Sequence, residues 1–366
     1  MFEIGLTATL FLFLCIQIAL LVSLLLLEKT KKGISTTHFP FVSILIAARN
    51  EEENIVNCLK SIEFLDYPIE SYEVLIGNDS STDKTSEIVC KFIDGKPNFK
   101  LIEITQTLGK ARAKANVLAN LVKESKGDIL FVTDADIEVK STWIKALIKH
   151  FDNAKIGIVS GSTIVRDKGF FASMQGLDWL YFSGMLIGLD KFGFKSTAVG
   201  NNMAFRKSAY LSTGGYENID FSVTEDFKLF SEIRKQDWQS VNVIEFDSLN
   251  FSKSQKSVSD FLHQRKRWML GAMDLPFEWK IIFGLYALFY PILFVLFSFN
   301  PTNAVFICIA KITLQSLIIF HLNFKLKLKN NCFQICLLEL FVIFSTVSTM
   351  LFFVLPIKML WKNRIY

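Results

Sequence analysis

Two stretches of this sequence carry no charged side chain, and they constrain the fold more than any other feature. Residues 5–27 and residues 281–299 contain no Asp, Glu, Lys or Arg. At a rise of about 1.5 Å per helical residue, the first stretch is about 34 Å long, which is enough to cross a hydrocarbon core of about 30 Å. The sequence therefore predicts a membrane protein with an N-terminal transmembrane anchor over residues 1–28.

The first apolar stretch is interpreted as an anchor rather than as a secretory signal peptide. It is too long for the apolar core of a signal peptide, no basic region precedes it, and no small-residue cleavage site stands before Glu28. Lys29, Lys31 and Lys32 follow it, whereas Glu3 precedes it. Because Lys and Arg are in excess on the cytoplasmic side of membrane proteins, the N-terminus is predicted outside and the next domain in the cytoplasm.

Three further segments are predicted to cross the membrane, over residues 281–299, 302–322 and 332–355. Lys311 lies in the second and Glu339 in the third, and an ionisable residue at mid-bilayer costs about 2.5–3.5 kcal/mol on insertion scales. If these two segments form a hairpin, we expect the two side chains to pair or to line a polar path. The alternative is that one of the segments lies in the membrane interface instead of crossing.

Basic residues do not decide the orientation of this C-terminal region, residues 280–356. With three crossings, the basic loop at 323–331 lies inside and the short basic tail, residues 357–366, lies outside. If residues 281–299 only graze the membrane, the two basic clusters exchange sides. Four spans in all are predicted, on the lengths of the segments alone.

The part between the apolar segments has the composition of a water-soluble domain. The chain is 51% hydrophobic, yet 20% of its 366 residues are charged. Most of these charged residues lie within residues 28–280. This combination excludes a plain cytosolic enzyme, a disordered chain and a transporter embedded over its whole length. The six cysteines form no CxxC pair and the four histidines are well separated, so no zinc site is expected.

Short apolar strands alternate with helical stretches in this domain. Strands are predicted over residues 41–48, 72–77, 99–104 and 128–133, and a helix is predicted to begin at Asn50 or Glu51, after the first of them. Such alternation is typical of βαβ units. It predicts an α/β domain with a mainly parallel sheet.

Polar residues follow three of these strands, at residues 49–51, 78–83 and 134–136. Ligands of open α/β sheets bind at the carboxyl ends of the strands, so the positions indicate a nucleotide site. Neither GxGxxG nor GxxxxGK[ST] is present, which excludes the usual dinucleotide and ATP cradles. The carboxylates of Asp134 and Asp136 suit a metal-bridged diphosphate, because Mg²⁺ typically takes one or two carboxylates plus substrate phosphates.

A second acidic pair, Glu225 and Asp226, follows Thr224 and precedes an apolar-periodic stretch. One interpretation is a helix N-terminus with acidic residues that the helix dipole favours. The other is a general base. The two are compatible, because a helix start can hold a carboxylate at the edge of a cleft.

Six short motifs, taken in order, resemble the membrane-anchored glycosyltransferases of family 2. They are Ala-Ala-Arg-Asn-Glu-Glu (47–52), Asn-Asp-Ser-Ser-Thr-Asp (78–83), Asp-Ala-Asp (134–136), Gly-Asn-Asn-Met-Ala-Phe-Arg (200–206), Thr-Glu-Asp (224–226) and Gln-Arg-Lys-Arg-Trp (264–268). That family includes cellulose, chitin and hyaluronan synthases and ceramide glucosyltransferases, and the resemblance covers about residues 40–270. It implies the GT-A fold over residues 40–275.

The resemblance also implies a task for each matching residue. The nucleoside would be held by Arg49, Glu51 and Asp79, and the diphosphate would be approached by Lys110. Mg²⁺ or Mn²⁺ would be bound by Asp134 and Asp136, with Asp136 as the direct ligand. Glu225 would contact substrate, Asp226 would be the general base, and the diphosphate and sugar would be covered by Gln264, Arg267 and Trp268. The sequence departs from the family pattern at Ala47, where Pro is common, and at Asn78, where Asp is usual. The second departure removes one carboxylate beside the nucleoside.

The implied reaction is the inverting transfer of a sugar from a UDP-sugar to a lipid or lipid-linked acceptor at the cytoplasmic face of the plasma membrane. The aromatic stretch at residues 170–189 is expected to lie where the domain meets the membrane, or to be an ordinary core helix. Trp268 is expected to stack on a sugar or to anchor at the interface. A processive polysaccharide synthase and a non-catalytic membrane scaffold are the alternative functions. No nucleic-acid partner is expected.

Overall fold

A computed structural model of the chain describes residues 1–26, 39–194, 197–329, 331–358, 360–361 and 364–365. Lys29, Lys31 and Lys32, on which the predicted orientation of the anchor rests, lie outside these residues, as does Lys362 of the tail. The α-helices of the described part are α1 (Phe2–Leu25), α2 (Ile55–Glu63), α3 (Thr85–Ile93), α4 (Ala113–Glu124), α5 (Trp143–Ile148), α6 (Phe170–Asp190), α7 (Lys207–Ser212), α8 (Glu225–Lys235), α9 (Val258–Ala272), α10 (Phe277–Phe299), α11 (Pro301–Leu326) and α12 (Cys332–Val354).

The strands build one large sheet and two small ones. They are β1 (Val42–Ala48), β2 (Tyr72–Asn78), β3 (Phe99–Glu103), β4 (Ile129–Asp134), β5 (Ile156–Ser160), β6 (Thr163–Val165), β7 (Met203–Arg206), β8 (Gln239–Asn242), β9 (Asn250–Ser252), β10 (Leu360–Trp361) and β11 (Arg364–Ile365). The large sheet has the order β3-β2-β1-β4-β7-β5-β8. Its pairs are parallel except that β7 runs antiparallel to β4 and to β5, which confirms the predicted mainly parallel, mixed sheet.

Strand β1 lies near the middle of this sheet and sends its side chains into two apolar cores. Ile44 and Ile46 pack in a core that includes Trp143 of α5. Leu45, between them, packs on the other face in a core that includes Leu118 of α4. Because both faces are covered, β1 is apolar except for Ser43 instead of alternating with polar residues. The covered faces leave the ends of β1 for a site.

Among the described residues, four helices, α1, α10, α11 and α12, are long and apolar enough to cross a membrane, and they coincide with the four predicted segments. Three of them, α1, α10 and α11, pack on one another. At one end of this bundle, Asn300 Nδ2 donates a hydrogen bond to Glu3 Oε1 over 2.9 Å. At the other end, His321 Nε2 lies 3.1 Å from the carbonyl oxygen of Leu24. The N-terminus and the α10–α11 turn therefore share one end of the bundle.

The two ionisable residues of the apolar segments pair with each other, as the hairpin argument predicts. Lys311 Nζ lies 2.5 Å from Glu339 Oε2. It also donates hydrogen bonds to Gln315 Oε1 over 2.8 Å and to the hydroxyl of Tyr290 over 3.1 Å. Both charged side chains are buried. Pairing and hydrogen bonding offset the cost of burying either charge alone.

The aromatic stretch at residues 170–189 forms α6, which packs both on the apolar helices and on β6. Gly188 allows close contact with α1, because a Cβ atom there would lie 2.1 Å from Leu20 Cδ1. Gly184 likewise makes room for Leu322 of α11. The helix is therefore a core element between the sheet domain and the apolar helices, and its position at the membrane stays a prediction.

Candidate active site

A cleft lies at the carboxyl ends of β1, β2 and β4, where the sequence predicts the site. Its charged lining residues come from these strand ends and from α4, α8 and α9, and they are Arg49, Glu51, Asp79, Arg112, Lys114, Asp134, Asp136, Glu225 and Arg267. Seven of them are residues that the sequence motifs single out. The predicted general base, Asp226, directly follows Glu225 at the start of α8.

The ends of β1 and β2 are tied together at one side of the cleft. The backbone N–H of Asp79 donates to the carbonyl of Ala48 over 2.9 Å, and the guanidinium of Arg49 donates to the carbonyl of Asp79. Glu51 is buried, and its carboxylate accepts a hydrogen bond from Asn54 Nδ2 over 2.8 Å. The residues that the motifs assign to a nucleoside are thus brought to one place.

Three residues at or beside this cleft have left-handed backbone conformations although they are not glycine. The φ angles are 52° at Asn50, 53° at Ser80 and 49° at Ala113. This conformation is uncommon for such residues and costs about 1–3 kcal/mol in strained cases. Strain of this kind clusters at functional sites. The predicted helix start at Asn50 or Glu51 is wrong: Asn50 has a left-handed φ, residues 52–54 form a turn, and α2 begins at Ile55.

Lys114, in the first turn of α4, joins the two acidic motifs. Its Nζ lies 2.6 Å from Asp134 Oδ1 and 2.7 Å from Glu225 Oε1. Burial alone would lower the pKa of Lys114, but the neighbouring carboxylates, chiefly Asp134 and Glu225, raise it above its usual value. The ammonium therefore stays charged in the cleft. Sequence reasoning did not single out this residue.

Asp226 is held by backbone N–H groups on both of its carboxylate oxygens. Gly200 N donates to Oδ2 over 2.8 Å, and Phe227 N donates to Oδ1 over 2.8 Å. The approach to Gly200 is so close that a Cβ atom there would lie 2.5 Å from Asp226 Oδ2. Burial and the nearby charge of Glu225 raise the pKa of Asp226 to about 6, against the opposing effects of Lys114 and the two N–H groups.

Three other predicted residues lie outside the lining of the cleft. The ammonium of Lys110 is exposed and pairs with Asp220 over 2.8 Å, so in this structure Lys114 and not Lys110 occupies the acidic side of the cleft. The ring of Trp268 packs against Trp179 of α6, with 4.8 Å between ring centroids. Gln264 is half-buried on α9. Contacts of these three residues with a substrate stay predictions.

The neighbours of Arg267 on α9 fasten this helix to the rest of the molecule. Arg265 forms an ion pair with Asp178 of α6. Lys266 is buried and donates hydrogen bonds to three backbone carbonyls at the end of α12. Of these three basic residues, Arg267 is the one that lines the cleft. The motif thus combines a cleft residue with two anchoring residues.

The carboxylates of the cleft suit a divalent cation whose remaining ligands come from a bound diphosphate. Asp134 and Asp136 both line the cleft, and Mg²⁺ commonly uses one or two carboxylates plus substrate phosphates. Within the described ranges, no group of three or more His, Cys, Asp or Glu side chains is arranged to hold a metal by itself. The residues therefore fit a cation that binds together with substrate, and metal dependence stays a prediction.

Comparison with known proteins decides the family. The sequence profile of Glycosyl transferase family 21 matches residues 8–366. The chain belongs to this family. Family 21 is a GT-A-like ceramide glucosyltransferase family, which agrees with the resemblance that the motifs indicate. The family match and the named relatives support a glycosyltransferase.

Relatives of this family 21 glycosyltransferase are named for different products, a glycolipid and a polysaccharide. A beta-monoglucosyldiacylglycerol synthase of Nostoc sp. (strain PCC 7120 / SAG 25.82 / UTEX 2576) is 29% identical over 251 residues, which are 66% of this chain and 51% of the relative. A poly-beta-1,6-N-acetyl-D-glucosamine synthase of Staphylococcus epidermidis is 27% identical over 239 residues, 64% of this chain and 55% of the relative. The chain thus spans about half the length of these curated relatives.

A solved structure supports the fold. The mannosyltransferase PcManGT from Pyrobaculum calidifontis, in complex with GDP-Man and Mn²⁺, superposes with a TM-score of 0.56 at 18% sequence identity. The match covers 94% of this chain and 99% of that one. At this identity the likeness shows the glycosyltransferase fold alone.

Proposed function

We propose that this glycosyltransferase moves a sugar from a UDP-sugar to the hydroxyl group of a lipid at the membrane surface, with inversion at the anomeric carbon. The observation that carries the proposal is the position of Asp226, a carboxylate with a raised pKa beside a charged cleft. The name of the Nostoc relative, a glucosyldiacylglycerol synthase, supports a lipid acceptor. So does α6, which connects the sheet domain to the apolar helices.

The donor would lie across the carboxyl ends of the strands. Arg49, Glu51 and Asp79 would hold the nucleoside, while Lys114 and Arg267 supply positive charge for the diphosphate. Asp136, with Asp134, would hold Mg²⁺ or Mn²⁺. When bound, such a cation neutralises the charge that develops on the leaving diphosphate.

Asp226 would accept the proton of the acceptor hydroxyl. The hydroxyl oxygen forms a bond to the anomeric carbon as the bond from that carbon to the diphosphate oxygen breaks, and the proton passes to the carboxylate. With a pKa of about 6, Asp226 is mostly deprotonated at pH 7 and still a stronger base than an ordinary carboxylate. The N–H groups of Gly200 and Phe227 hold it in one orientation.

The same proposal places the protein in the plasma membrane as a multi-pass protein with its catalytic domain, residues 40–275, in the cytoplasm. The apolar helices provide the membrane contact. Nucleotide binding at the strand ends and lipid contact at the helices would then occur in one molecule. A lipid acceptor could reach the cleft without leaving the membrane surface.

An assay of donors and acceptors tests this function. Membranes that contain the full chain are supplied with radiolabelled UDP-glucose, UDP-N-acetylglucosamine or GDP-mannose, with diacylglycerol or ceramide added, and the products are separated by thin-layer chromatography. We expect a mobile labelled lipid with one of the UDP-sugars, formed about 10²–10⁴-fold more slowly by the Asp226→Asn variant. Label that stays at the origin as polymer would instead establish a processive synthase. Label transferred only from GDP-mannose would contradict the proposed donor.

The pH dependence of transfer is expected to report the pKa of Asp226. Because the deprotonated carboxylate is the base, kcat/KM should fall as the pH drops through about 6. The negative charge of Glu225 helps to raise this pKa, so Glu225→Gln should move the acid limb to lower pH. A pH–rate profile of both proteins checks this. An acid limb that stays in place in Glu225→Gln would show that another group titrates.

A further inference from the structure

The catalytic domain contacts the chain shortly before α12 and again at the C-terminal end of α12. Just before the helix, Lys327 Nζ lies 4.5 Å from the ring centroid of Phe246, in the 3₁₀ turn Phe246–Ser248 that precedes β9. Just after it, Lys266 Nζ of α9 donates hydrogen bonds to the carbonyl oxygens of Phe352 over 3.1 Å, Leu355 over 3.0 Å and Ile357 over 2.9 Å. Strand β10 of the tail also contacts α9.

These contacts conflict with a fourth crossing. Helix α12 has 23 residues and is therefore about 35 Å long. If it crossed a hydrocarbon core of about 30 Å, its two ends would lie on opposite sides of the membrane. A single catalytic domain lies on one side only, yet Lys266 of this domain binds the C-terminal end of α12, and Phe246 contacts Lys327, five residues before α12 begins.

The other three apolar helices do alternate between two sides. Helix α10 begins at Phe277, shortly after α9 ends, and its far end meets the N-terminus through Asn300 and Glu3. Helix α11 then returns, since His321 lies beside Leu24 at the end of α1 that leads to the catalytic domain. The chain is therefore back on the catalytic side when α12 begins.

We propose that α12 lies along the membrane surface on the catalytic side, between the domain and the lipid, and that α1, α10 and α11 are the crossings. Its inner face is buried on the protein and includes Leu338 and Val342. Its outer face is exposed and apolar, and includes Phe333, Leu340, Phe344, Val347, Leu351 and Val354. A face of this kind fits the boundary of head groups and acyl chains.

The distribution of basic residues agrees with this arrangement. Lys327 and Lys329, before α12, and Lys358, after it, are all exposed. With α12 in the plane of the surface, these three lysines lie on one side, together with the catalytic domain. A fourth crossing would put Lys358 on the opposite side. Lys and Arg are enriched on one side of membrane proteins. With α12 in the plane of the membrane, the basic residues before and after it agree on which side the catalytic domain lies.

The arrangement also gives α12 a place in the architecture of the site. Lys266, which holds the end of α12, directly precedes Arg267, which lines the cleft. The ion pair of Lys311 and Glu339 fastens the same helix to the bundle. Helix α12 thus contacts both α9 and the bundle, and its outer face would contact lipid. The inference does not depend on which sugar or lipid the enzyme uses.

Accessibility of single cysteines in the full chain tests the inference. In a background without the six native cysteines that still binds nucleotide, Lys358→Cys is compared with Glu87→Cys on the catalytic domain and Thr302→Cys at the α10–α11 turn. The three variants are treated with a membrane-impermeant maleimide in sealed vesicles of one orientation. We expect Lys358→Cys to be labelled from the same side as Glu87→Cys and the opposite side from Thr302→Cys. Labelling of Lys358→Cys together with Thr302→Cys would overturn the proposal.

A depth measurement gives a second test. A fluorescent probe is attached to Leu340→Cys, Val347→Cys or Val354→Cys on the outer face, and its quenching by lipids brominated at different depths is recorded. A helix in the plane predicts one depth for all three probes. A crossing helix predicts steps of about 10 Å between successive probes, from seven residues at about 1.5 Å each. A steady gradient of this size would therefore contradict the in-plane helix.

Discussion

Replacing Asp226 by Asn is expected to lower the rate of sugar transfer by about 10²–10⁴-fold, the usual contribution of a general base, while nucleotide binding survives. The amide has nearly the shape of the carboxylate but cannot take the acceptor proton. It keeps one acceptor oxygen, so one of the two N–H groups, of Gly200 or of Phe227, loses its present partner. The measurements are kcat in the transfer assay and the Kd of UDP for the purified variant.

A matched control lies on the same helix. Glu232 is also an acid of α8, but it pairs with Lys228 and Lys235 away from the cleft, so Glu232→Gln should leave both kcat and Kd unchanged. The base role fails if Asp226→Asn loses UDP binding together with transfer, because Asp226 would then support the structure of the cleft. It also fails if transfer in Asp226→Asn is close to that of Glu232→Gln.

The sheet and the acidic side of the cleft could be predicted because they depend on local patterns. A short apolar run such as residues 129–132 is buried on both faces, and the residues directly after it must lie at the open edge of the sheet. The pattern alone therefore predicts that Asp134 and Asp136 reach the cleft. The same holds for Glu225, since a helix start after a loop brings its first turn to an edge.

Lys114 could not be predicted in the same way. The sequence offers Lys110 and Lys114 with helical spacing and gives no reason to prefer the second. The preference comes from the backbone: Gly109, just before Lys110, and Ala113, just before Lys114, have left-handed φ angles of 52° and 49°, so the two lysines do not lie on one regular helix. The first ammonium then points to Asp220 and the second to Asp134. The sequence does not show that a residue such as Ala113 adopts a left-handed conformation.

The placement of α12 is another feature that hydropathy cannot give. The apolar length of residues 332–355 shows that a helix could cross, but not in which direction it runs. The direction is set by contacts over long sequence distances, such as that of Lys266 with Leu355 and that of Lys327 with Phe246. For the same reason, the packing of Trp268 on α6 was not foreseen. Pairings of this kind depend on the assembled fold.

Replacing Lys114 by Met is expected to lower kcat/KM by about 10²–10³-fold, the effect of losing one group that stabilises developing charge. Methionine keeps much of the apolar stem but has no charge. The variant leaves Asp134 and Glu225 without the ammonium that now lies 2.6 Å and 2.7 Å away, and the negative charge of the cleft then repels a diphosphate. The affinity for UDP should therefore fall, while the affinity for uridine, which has no phosphate, should change little.

Two further lysines decide between the possible reasons for such a loss. Lys123 is exposed near the end of the same helix, so Lys123→Met should bind UDP and uridine as the unchanged protein does. Lys110→Met tests the residue that the motif resemblance favours. If the diphosphate-specific loss appears in Lys110→Met and not in Lys114→Met, the role of Lys114 is wrong. If UDP and uridine lose affinity equally in Lys114→Met, Lys114 supports the shape of the cleft through Asp134 and Glu225 and does not act on the diphosphate.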